Sequence, residues 1–273
     1  MSLHFCRAGE GPPLLFLHGL FDSLHTWDPL IPYLSNSYTT YSVDLPGFGK
    51  SPLPPQWTQS LSQTVEALIQ FLNQMQLSKI TVVGSSMGGG MAFALAQRRP
   101  DLVDRLILIN PYALPFLPEA VTIARNGIFR SVLPYFLVKW VLKKVTRSIY
   151  RRSFYNVDCI TTDLIEEAVT PFLKIEQKKD LFRFLNGISL DEINQIDRLL
   201  PTLTQPTEIL WGTHDRWLSF EHAERLQKRL PHCNVTLIPE SGHLPHFEKP
   251  NEVAHEIRRL VSDGEVPSLV KEG

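Results

Sequence analysis

The sequence predicts an α/β protein in which a mostly parallel central sheet carries helices on both faces. Short apolar or β-branched runs recur along the chain, and each stops at a glycine or a proline. They predict strands at residues 12–19, 39–49, 79–86, 105–111, 207–212 and 234–242. Helical patterns lie between them, and the strand runs lack apolar–polar alternation. Such runs are typical of parallel strands buried on both faces of a sheet.

Two amphipathic stripes illustrate the helical patterns. One consists of Leu61, Val65, Leu68, Ile69 and Leu72, and the other of Val253, Ile257, Leu260 and Val261. Residues that recur at this spacing share one face of a helix, so each stripe predicts a helix that packs against the sheet.

One long stretch interrupts the alternation of strands and helices. Residues 112–200 contain no run that predicts a strand, and a single crossover needs far fewer residues. Four prolines punctuate its helical patterns: Pro115, Pro118, Pro134 and Pro171. We predict that 112–200 is a helical cap inserted into a core of residues 1–111 and 201–262. The tail, residues 263–273, is predicted to be disordered.

Composition excludes several classes of protein. With 273 residues, 43% hydrophobic and 20% charged, the chain is expected to fold around a large core. The net charge of -1 gives no reason to expect nucleic acid as a partner. Three scattered cysteines, Cys6, Cys159 and Cys233, fit a reducing compartment better than a disulfide framework. Because neither a leader-like start nor an apolar run of about 18 residues is seen, a cytoplasmic protein is expected.

A cluster of glycines, which are unfavourable in a helix, marks the first candidate catalytic residue. In "VVGSSMGGGMAF", residues 82–93, three consecutive glycines open a helix, although each costs roughly 1 kcal/mol relative to alanine. Residues 84–88 fit the pattern G-x-S-x-G between a strand and a helix, which exposes the central serine at the carboxyl edge of a sheet. That serine is Ser86. Ser85 does not fit, because its frame would require glycine in place of Val83 and Met87.

A serine nucleophile requires a base and an acid that orients the base. Asp215 follows one predicted strand in "WGTHDRW", and His243 follows the next in "PESGHLPHFEKP". Carboxyl ends of parallel strands share one edge, so both side chains are expected near the serine. Two alternatives concern the same segments: Asp215 could cap the next helix, although Ser219 is better placed to do so, and His246 is a rival base.

Six segments together resemble a known superfamily. They are "HG" at 18–19, "DLPGFGKS" at 44–51, "GSSMGG" at 84–89, "PDLVDRLILINP" at 100–111, "LWGTHD" at 210–215 and "SGHLPHFEKP" at 241–250. With them the chain resembles the α/β-hydrolase superfamily, close to its esterases, lipases and carbon–carbon hydrolases with a helical cap. The resemblance covers nearly the whole chain. Members commonly have a strand hairpin before "HG", so the first strand here is expected to be shortened or missing.

The resemblance implies a role for each matching position. Ser86 would be the nucleophile, His243 the base and acid, and Asp215 the orienting acid. The backbone N–H groups of Leu20 and Met87 would form the oxyanion hole. The supporting positions are His18, Gly19, Gly84 and Gly88.

The implied reaction is hydrolysis of a carboxylic ester, or a related acyl bond, of a small or lipid-like substrate through an acyl-enzyme. The same triad could serve a carbon–carbon bond hydrolase or a lyase of the menaquinone-pathway type, and the fold could also be a non-catalytic ligand-binding protein. Epoxide hydrolases and haloalkane dehalogenases are disfavoured because they attack with a carboxylate and Ser86 is not one. No metal is expected, since the histidines lack ligand spacing, and no cofactor, since the glycine run lacks the Lys-Ser/Thr of a P-loop.

The predicted cap also carries a run of positive charge. Residues 120–157 contain no Asp or Glu, and basic residues recur at Lys139, Lys143, Arg147 and Arg151 beside apolar ones. One interpretation is a lid that makes weak contact with an anionic membrane or guides a lipid-like substrate. The other is a solvated outer face on a helix whose apolar face covers the active site.

Overall fold

A seven-stranded sheet forms the centre of the protein. The structure is a computed structural model that describes residues 2–58, 60–113, 122 and 127–262. The strands are β1 (Phe5–Ala8), β2 (Pro13–Leu17), β3 (Thr39–Val43), β4 (Ile80–Ser85), β5 (Val103–Ile109), β6 (Thr207–Gly212) and β7 (Cys233–Ile238). Their order is β1-β3-β2-β4-β5-β6-β7. Every neighbouring pair is parallel except β1 and β3, so the predicted mostly parallel sheet is confirmed.

The first strand was expected to be shortened or missing, and β1 shows which of the two applies. It is present but has four residues, and it pairs antiparallel with β3 from Phe5 opposite Val43 to Ala8 opposite Thr40. A short edge strand offers few unpaired backbone groups to other chains, which limits association at this edge.

Helices flank the sheet and also follow β5. In the described residues they are α1 (Ser60–Gln74), α2 (Met87–Arg98), α3 (Gly127–Phe136), α4 (Lys139–Ser153), α5 (Thr162–Val169), α6 (Ile175–Gly187), α7 (Leu190–Leu199), α8 (Glu221–Arg229), α9 (Pro245–Glu248) and α10 (Pro250–Ser262). No helix in the described part of the chain is long and apolar enough to cross a membrane.

Both faces of the sheet are apolar, as a parallel sheet between helices requires. Leu15, Val82 and Leu108 lie in one core cluster with residues of α1, α2 and α8. Their neighbours in sequence belong to a second cluster, which contains Trp27 and residues of α10. Successive strand residues thus point to opposite sides, and burial of both sets stabilises the sheet between two helical layers.

Helices α3 to α7 lie between β5 and β6 in the chain, where a helical cap was predicted. Leu142 of α4 packs against Ile165 and Val169 of α5 in a small core of its own. On the other side of the insertion, Ser60 Oγ donates a 2.6 Å hydrogen bond to the carbonyl of Phe184 in α6. The boundaries 112–200 stay a prediction, and residues 114–121 and 123–126, like the predicted tail, 263–273, lie outside the described residues.

Asp44 links the loops that follow β2 and β3. Its buried carboxylate accepts hydrogen bonds from the N–H groups of Leu24 and Lys50, each at 2.9 Å, and from His4 Nδ1 at 2.7 Å. A Cβ on Gly49 would lie 2.2 Å from this carboxylate, and Gly49 has a φ of +52°. Asp44 is therefore a structural residue that holds the loop beside the candidate site.

Candidate active site

Ser86 sits on a strained turn between β4 and α2. Its φ is 50° and its ψ is -116°, an unusual conformation for a residue with a side chain. A Cβ on Gly84 would lie 2.6 Å from the Gly88 carbonyl oxygen, and one on Gly88 would lie 2.1 Å from that of Leu17. The turn therefore requires both motif glycines.

The two further glycines let the first turn of α2 approach the chain after β5. A Cβ on Gly89 would lie 2.6 Å from Pro111 Cβ, and one on Gly90 would lie 2.6 Å from the Tyr112 carbonyl oxygen. In return, the N–H of Tyr112 donates to the Ser86 carbonyl at 2.8 Å. Close packing of this helix start on its surroundings explains the glycine run and fixes the backbone of Ser86.

Ser85, the other serine of the motif, points into the interior. It is 1% exposed, and its hydroxyl has no hydrogen-bond partner in the part of the chain that the structure describes. Ser86 is half-buried and lies at the edge of the sheet. A substrate can approach Ser86 but not Ser85.

Asp215 and His243 form a hydrogen-bonded pair at the same sheet edge. The distance from His243 Nδ1 to Asp215 Oδ2 is 2.6 Å, and the Asp215 side chain is 1% exposed. The other carboxylate oxygen accepts from the N–H groups of Trp217 at 2.7 Å and Leu218 at 3.1 Å. A carboxylate only accepts, so Nδ1 carries the proton and the lone pair lies on Nε2. That is the tautomer a general base needs.

Asn110 is a site residue that the sequence analysis missed. Its Nδ2 lies 2.7 Å from Asp215 Oδ2 and 3.1 Å from the Gly242 carbonyl oxygen. Its Oδ1 accepts from the N–H of Gly212 at 2.9 Å. Asn110 follows β5, which lies between the strands that precede Ser86 and Asp215. Its φ of 43° is one that asparagine tolerates better than most residues, and this asparagine at a strand end was the available signal.

The His-Gly turn after β2 runs directly against Ser86. A Cβ on Gly19 would lie 3.3 Å from Ser86 Cβ and 4.0 Å from Ser86 Oγ. Within the described chain, the N–H groups of Leu20 and Met87 have no hydrogen-bond acceptor. Two free donors on either side of a serine are what an oxyanion hole requires.

His18 has both ring nitrogens occupied. Its Nε2 accepts from the N–H of Leu45 at 3.0 Å, so Nδ1 carries the proton and donates to the Gly19 carbonyl at 2.8 Å. The ring is completely buried. His18 thus positions the backbone of the His-Gly turn and has no ring nitrogen left for proton transfer.

His246, the rival base, lies in the core. Its Nε2 is 3.0 Å from Thr26 Oγ1, and its ring centroid is 4.4 Å from that of Trp27. Complete burial lowers its pKa to about 3. No carboxylate orients this ring among the described contacts, so the geometry favours His243 as the base.

Ser219 does not have the capping role that the sequence suggested. Helix α8 has Phe220 at its N-cap position and no side-chain hydrogen bond there, while the carbonyl of Ser219 accepts from the N–H of His222. Asp215 does not cap this helix either, because its Oδ1 accepts from the preceding turn. The helix begins with a simple turn instead, which leaves the Asp215 carboxylate to His243.

A cavity of about 300 Å³ opens between the loop after β2 and helices α4 and α5. Phe21 and Leu244 line it, so it adjoins the chain neighbours of Leu20 and His243, but Ser86 does not line it. Asp22 also lines the cavity, and burial raises the pKa of its carboxyl. The cavity therefore lies beside the Ser86 site without reaching Ser86 itself.

Three side chains at the rim of this cavity have the composition of a metal site. Ligand atoms of His25, Asp28 and Glu167 lie within 4.8 Å of one another. His25 Nδ1 is 2.8 Å from Asp28 Oδ2 and 3.5 Å from Glu167 Oε1, and all three side chains are more than 40% exposed. Exposed acidic groups of this kind are common without an ion.

Comparison with known proteins places the chain in a family. The profile of the alpha/beta hydrolase fold matches residues 12–150, half of the chain. The chain belongs to the alpha/beta hydrolase fold family. This confirms the resemblance drawn from the sequence motifs.

Individual members of the family extend the match over nearly the whole chain. Esterase YbfF of Escherichia coli (strain K12) is 26% identical over 254 residues, which cover 92% of this chain and 93% of that protein. Uncharacterized hydrolase YugF of Bacillus subtilis (strain 168) is 26% identical over 264 residues, which cover 94% of this chain and 92% of that protein. A solved esterase from Thermogutta terrifontis superposes with a TM-score of 0.78 at 27% identity and covers 96% of this chain and 93% of its own. The chain is thus similar to proteins named as hydrolases or esterases over more than 90% of its length.

Proposed function

We propose that this alpha/beta hydrolase is a serine hydrolase that cleaves a carboxylic ester through an acyl-enzyme. The observation that carries the proposal is the 2.6 Å hydrogen bond between His243 Nδ1 and Asp215 Oδ2, made at the sheet edge where Ser86 occupies its strained turn. It leaves His243 Nε2 with the lone pair that a base requires.

The proposed reaction has two halves. Ser86 Oγ attacks the ester carbonyl while His243 Nε2 accepts its proton, and the N–H groups of Leu20 and Met87 bind the oxyanion of the tetrahedral intermediate. As the intermediate collapses, the bond to the alcohol breaks and His243 returns the proton to the leaving oxygen. Water then attacks the acyl-enzyme, His243 accepts its proton, and a carboxylic acid leaves as Ser86 is restored.

Asp215 contributes by holding the imidazole. It fixes the tautomer and stabilises the imidazolium that forms in each half of the reaction. Removal of the acid with preserved geometry costs on the order of 10⁴ in rate in serine enzymes of this kind. An Asp215→Asn variant should accordingly remain folded and lose most of its turnover.

Two kinds of support bear on the substrate. The similar proteins from Escherichia coli and Thermogutta terrifontis are named as esterases, which favours ester cleavage. The nucleophile candidate is a hydroxyl, which favours acyl transfer over the carboxylate chemistry of dehalogenases. A small or lipid-like ester is the substrate class that we propose.

A fluorophosphonate probe tests the nucleophile. Intact-mass spectrometry and peptide mapping should show one adduct on Ser86 in the wild type, none in Ser86→Ala, and an undiminished adduct in Ser85→Ala. The Ser85 variant is the matched control because it removes the adjacent, buried hydroxyl. Labelling that persists in Ser86→Ala, or an absence of labelling in folded wild type, would refute the proposed role of Ser86.

Hydrolysis assays then test the bond that is cleaved. Esters of graded acyl length and a vinylogous diketone should be offered to the wild type and to Ser86→Ala. Turnover of esters alone, lost in Ser86→Ala, supports the esterase. Turnover of the diketone alone would replace it with carbon–carbon bond hydrolysis on the same residues.

A further inference from the structure

The junction of α3 and α4 exposes an unusual amount of apolar and aromatic surface. Phe136, Trp140 and Tyr135 are 67%, 64% and 59% exposed, and Val132 and Val138 are each more than 40% exposed. All five lie within nine consecutive residues. We call this group the cap tip. Exposed apolar residues that cluster in this way, where single ones would be scattered, mark a place of contact with a partner.

Helix α4 continues from the cap tip with a cationic outer face. Trp140, Lys144, Arg147 and Arg151 are spaced so that they share one side of the helix, and all four are exposed. Leu142, on the opposite side, is buried. We call Lys144, Arg147 and Arg151 the basic face, which adjoins the aromatic ring of Trp140.

This arrangement corrects the stripe predicted from the sequence. Lys139 and Lys143 turn toward α5, where both make ion pairs with Glu166. Helical residues four apart are offset by about 40°, so a series with this spacing rotates around the helix and cannot form one straight stripe. Lys144 takes the outward place, and its Nζ lies 5.6 Å from the Trp140 ring centroid.

The cations of the basic face are available to a partner. Among the described residues, none of the three forms a salt bridge with a carboxylate, and residues 120–157 contain no Asp or Glu. Arg152, by contrast, stacks on Trp217 within the protein. An anionic surface placed against the basic face would meet three positive charges on a segment, residues 120–157, that contains no Asp or Glu.

We propose that the cap tip and the basic face together bind the surface of an anionic lipid bilayer. Aromatic side chains favour the interface between headgroups and acyl chains, and lysines and arginines beside them favour anionic headgroups. A second copy of this chain is a poorer occupant, because a symmetric contact would bring two basic faces together. Charge complementarity thus favours an anionic bilayer over a second copy of the chain as the partner of this surface.

Helix α4 connects the proposed membrane-binding surface to the candidate active site. The helix ends at Ser153, whose carbonyl accepts a 2.6 Å hydrogen bond from the N–H of His243. The Oγ of Ser153 accepts from Trp217 Nε1 at 2.9 Å, beside Asp215. The helix that contacts the bilayer therefore also supports the candidate base, as delivery of a lipid-like ester from a membrane would require. This consequence rests on the proposed function, whereas the binding itself does not.

Vesicle co-sedimentation of the full chain tests the proposal. The wild type should bind vesicles of 70% phosphatidylcholine and 30% phosphatidylglycerol, should not bind pure phosphatidylcholine, and should dissociate as salt is raised. The triple variant Lys144→Gln, Arg147→Gln, Arg151→Gln should bind about 100-fold more weakly, from about fivefold per cation. The variant Phe136→Ser, Trp140→Ser keeps all three cations but should bind the anionic vesicles more weakly than the wild type at low salt, because it lacks the aromatic contact with the bilayer.

A matched triple variant removes the same charge elsewhere. Arg7, Lys79 and Lys228 are exposed cations outside α3 to α7, the helices between β5 and β6, and their replacement by Gln should leave vesicle binding within about twofold of wild type if only the local charge matters. Thermal melting confirms that each variant is folded. Equal binding to both vesicle types, no binding, or equal loss in both triple variants would overturn the proposal. So would dimerisation in solution that Phe136→Ser, Trp140→Ser abolishes, since a second copy would then occupy the surface.

Loss of vesicle binding and loss of catalysis remain distinguishable. Ser86→Ala should bind anionic vesicles like the wild type, because Ser86 lies outside the cap tip. The basic-face variant should still react with the fluorophosphonate in vesicle-free buffer. An inactive wild type that binds vesicles would contradict the proposed function alone.

Discussion

Asn110 and Asp215 are joined by a 2.7 Å hydrogen bond between Nδ2 and Oδ2, on the oxygen that also accepts from His243 at 2.6 Å. The donor comes from the end of β5, a strand that carries none of the proposed triad residues. Because Asn110 also bonds Gly212 and Gly242, one amide connects the segments before Asp215 and His243. Asn110 thus helps to fix the orientation of the Asp215 carboxylate from a strand outside the proposed triad.

Replacement of Asn110 by alanine should lower kcat more than it changes KM. The variant leaves the buried N–H of Gly212 unpaired, at a cost of about 1–3 kcal/mol, and frees the Asp215 carboxylate to turn. We expect kcat to fall about tenfold, since about 1.4 kcal/mol corresponds to a factor of ten. Steady-state kinetics on an ester found in the screen, with a thermal melt, measures both effects. A lowered melting temperature with unchanged kcat would reduce Asn110 to a structural residue.

A second variant, Asn110→Asp, tests whether position 110 is coupled electrostatically to Asp215. It would place a second carboxylate within hydrogen-bonding distance of Asp215, and two adjacent carboxylates raise the pKa of one of the pair. The acid limb of the pH–rate profile should therefore move to higher pH in Asn110→Asp and not in Asn110→Ala. Coincident profiles for the two variants would exclude electrostatic coupling to the acid.

The catalytic candidates could be predicted from sequence because each lies within five residues of the end of a strand. Ser86, Asp215 and His243 come after β4, β6 and β7, and a parallel sheet brings the ends of its strands to one edge. Asn110 could not be assigned in this way. Its role depends on β5 lying between β4 and β6, and the runs of apolar residues do not specify that order.

The cap was harder to predict in detail. Its helical character followed from the missing strands, but the outward direction of each cation depends on which side of α4 packs on α5. Leu142 packs against α5, and the next residue, Lys143, therefore also faces α5 and makes an ion pair with Glu166. The i, i+4 pattern alone could not supply this information because many rotations of the helix preserve it.

Glu248 should prove to be a positioning residue for the histidine loop. Its Oε2 accepts from the N–H of Gly242 at 2.7 Å and its Oε1 accepts from that of Asn156 at 2.8 Å. A glutamine offers one oxygen, so Glu248→Gln keeps at most one of these bonds and should cost about 1–3 kcal/mol of stability. Thermal melts and kcat are the measurements, and we expect both to fall. Glu252→Gln, on the exposed side of α10, is the control and should change neither.

Gly88→Ala should prevent assembly of the nucleophile turn. The new Cβ would lie 2.1 Å from the carbonyl oxygen of Leu17, a backbone atom that cannot move without displacing β2. We expect loss of fluorophosphonate labelling together with a lower melting temperature. Ser85→Ala alters the same turn without a steric conflict and should label normally. Normal labelling of Gly88→Ala would show that the turn in solution is more open than the structure.

His246 should make the protein sensitive to mild acid. In the unfolded chain a histidine has a pKa of about 6.5, whereas burial lowers that of His246 to about 3. Between these values the unfolded state binds a proton that the folded state does not, so stability falls as the pH falls. By pH 5 this one residue should account for a loss of about 2 kcal/mol.

The variant His246→Gln isolates this effect. Glutamine does not titrate, and its amide can still bond Thr26, so the variant should be less stable than wild type at pH 8 because it loses the contact with Trp27. The difference in unfolding free energy, measured with urea at pH 8, 7, 6 and 5, should shrink by about 2 kcal/mol toward pH 5. A constant difference for His246→Gln would mean that His246 takes up its proton in the folded protein.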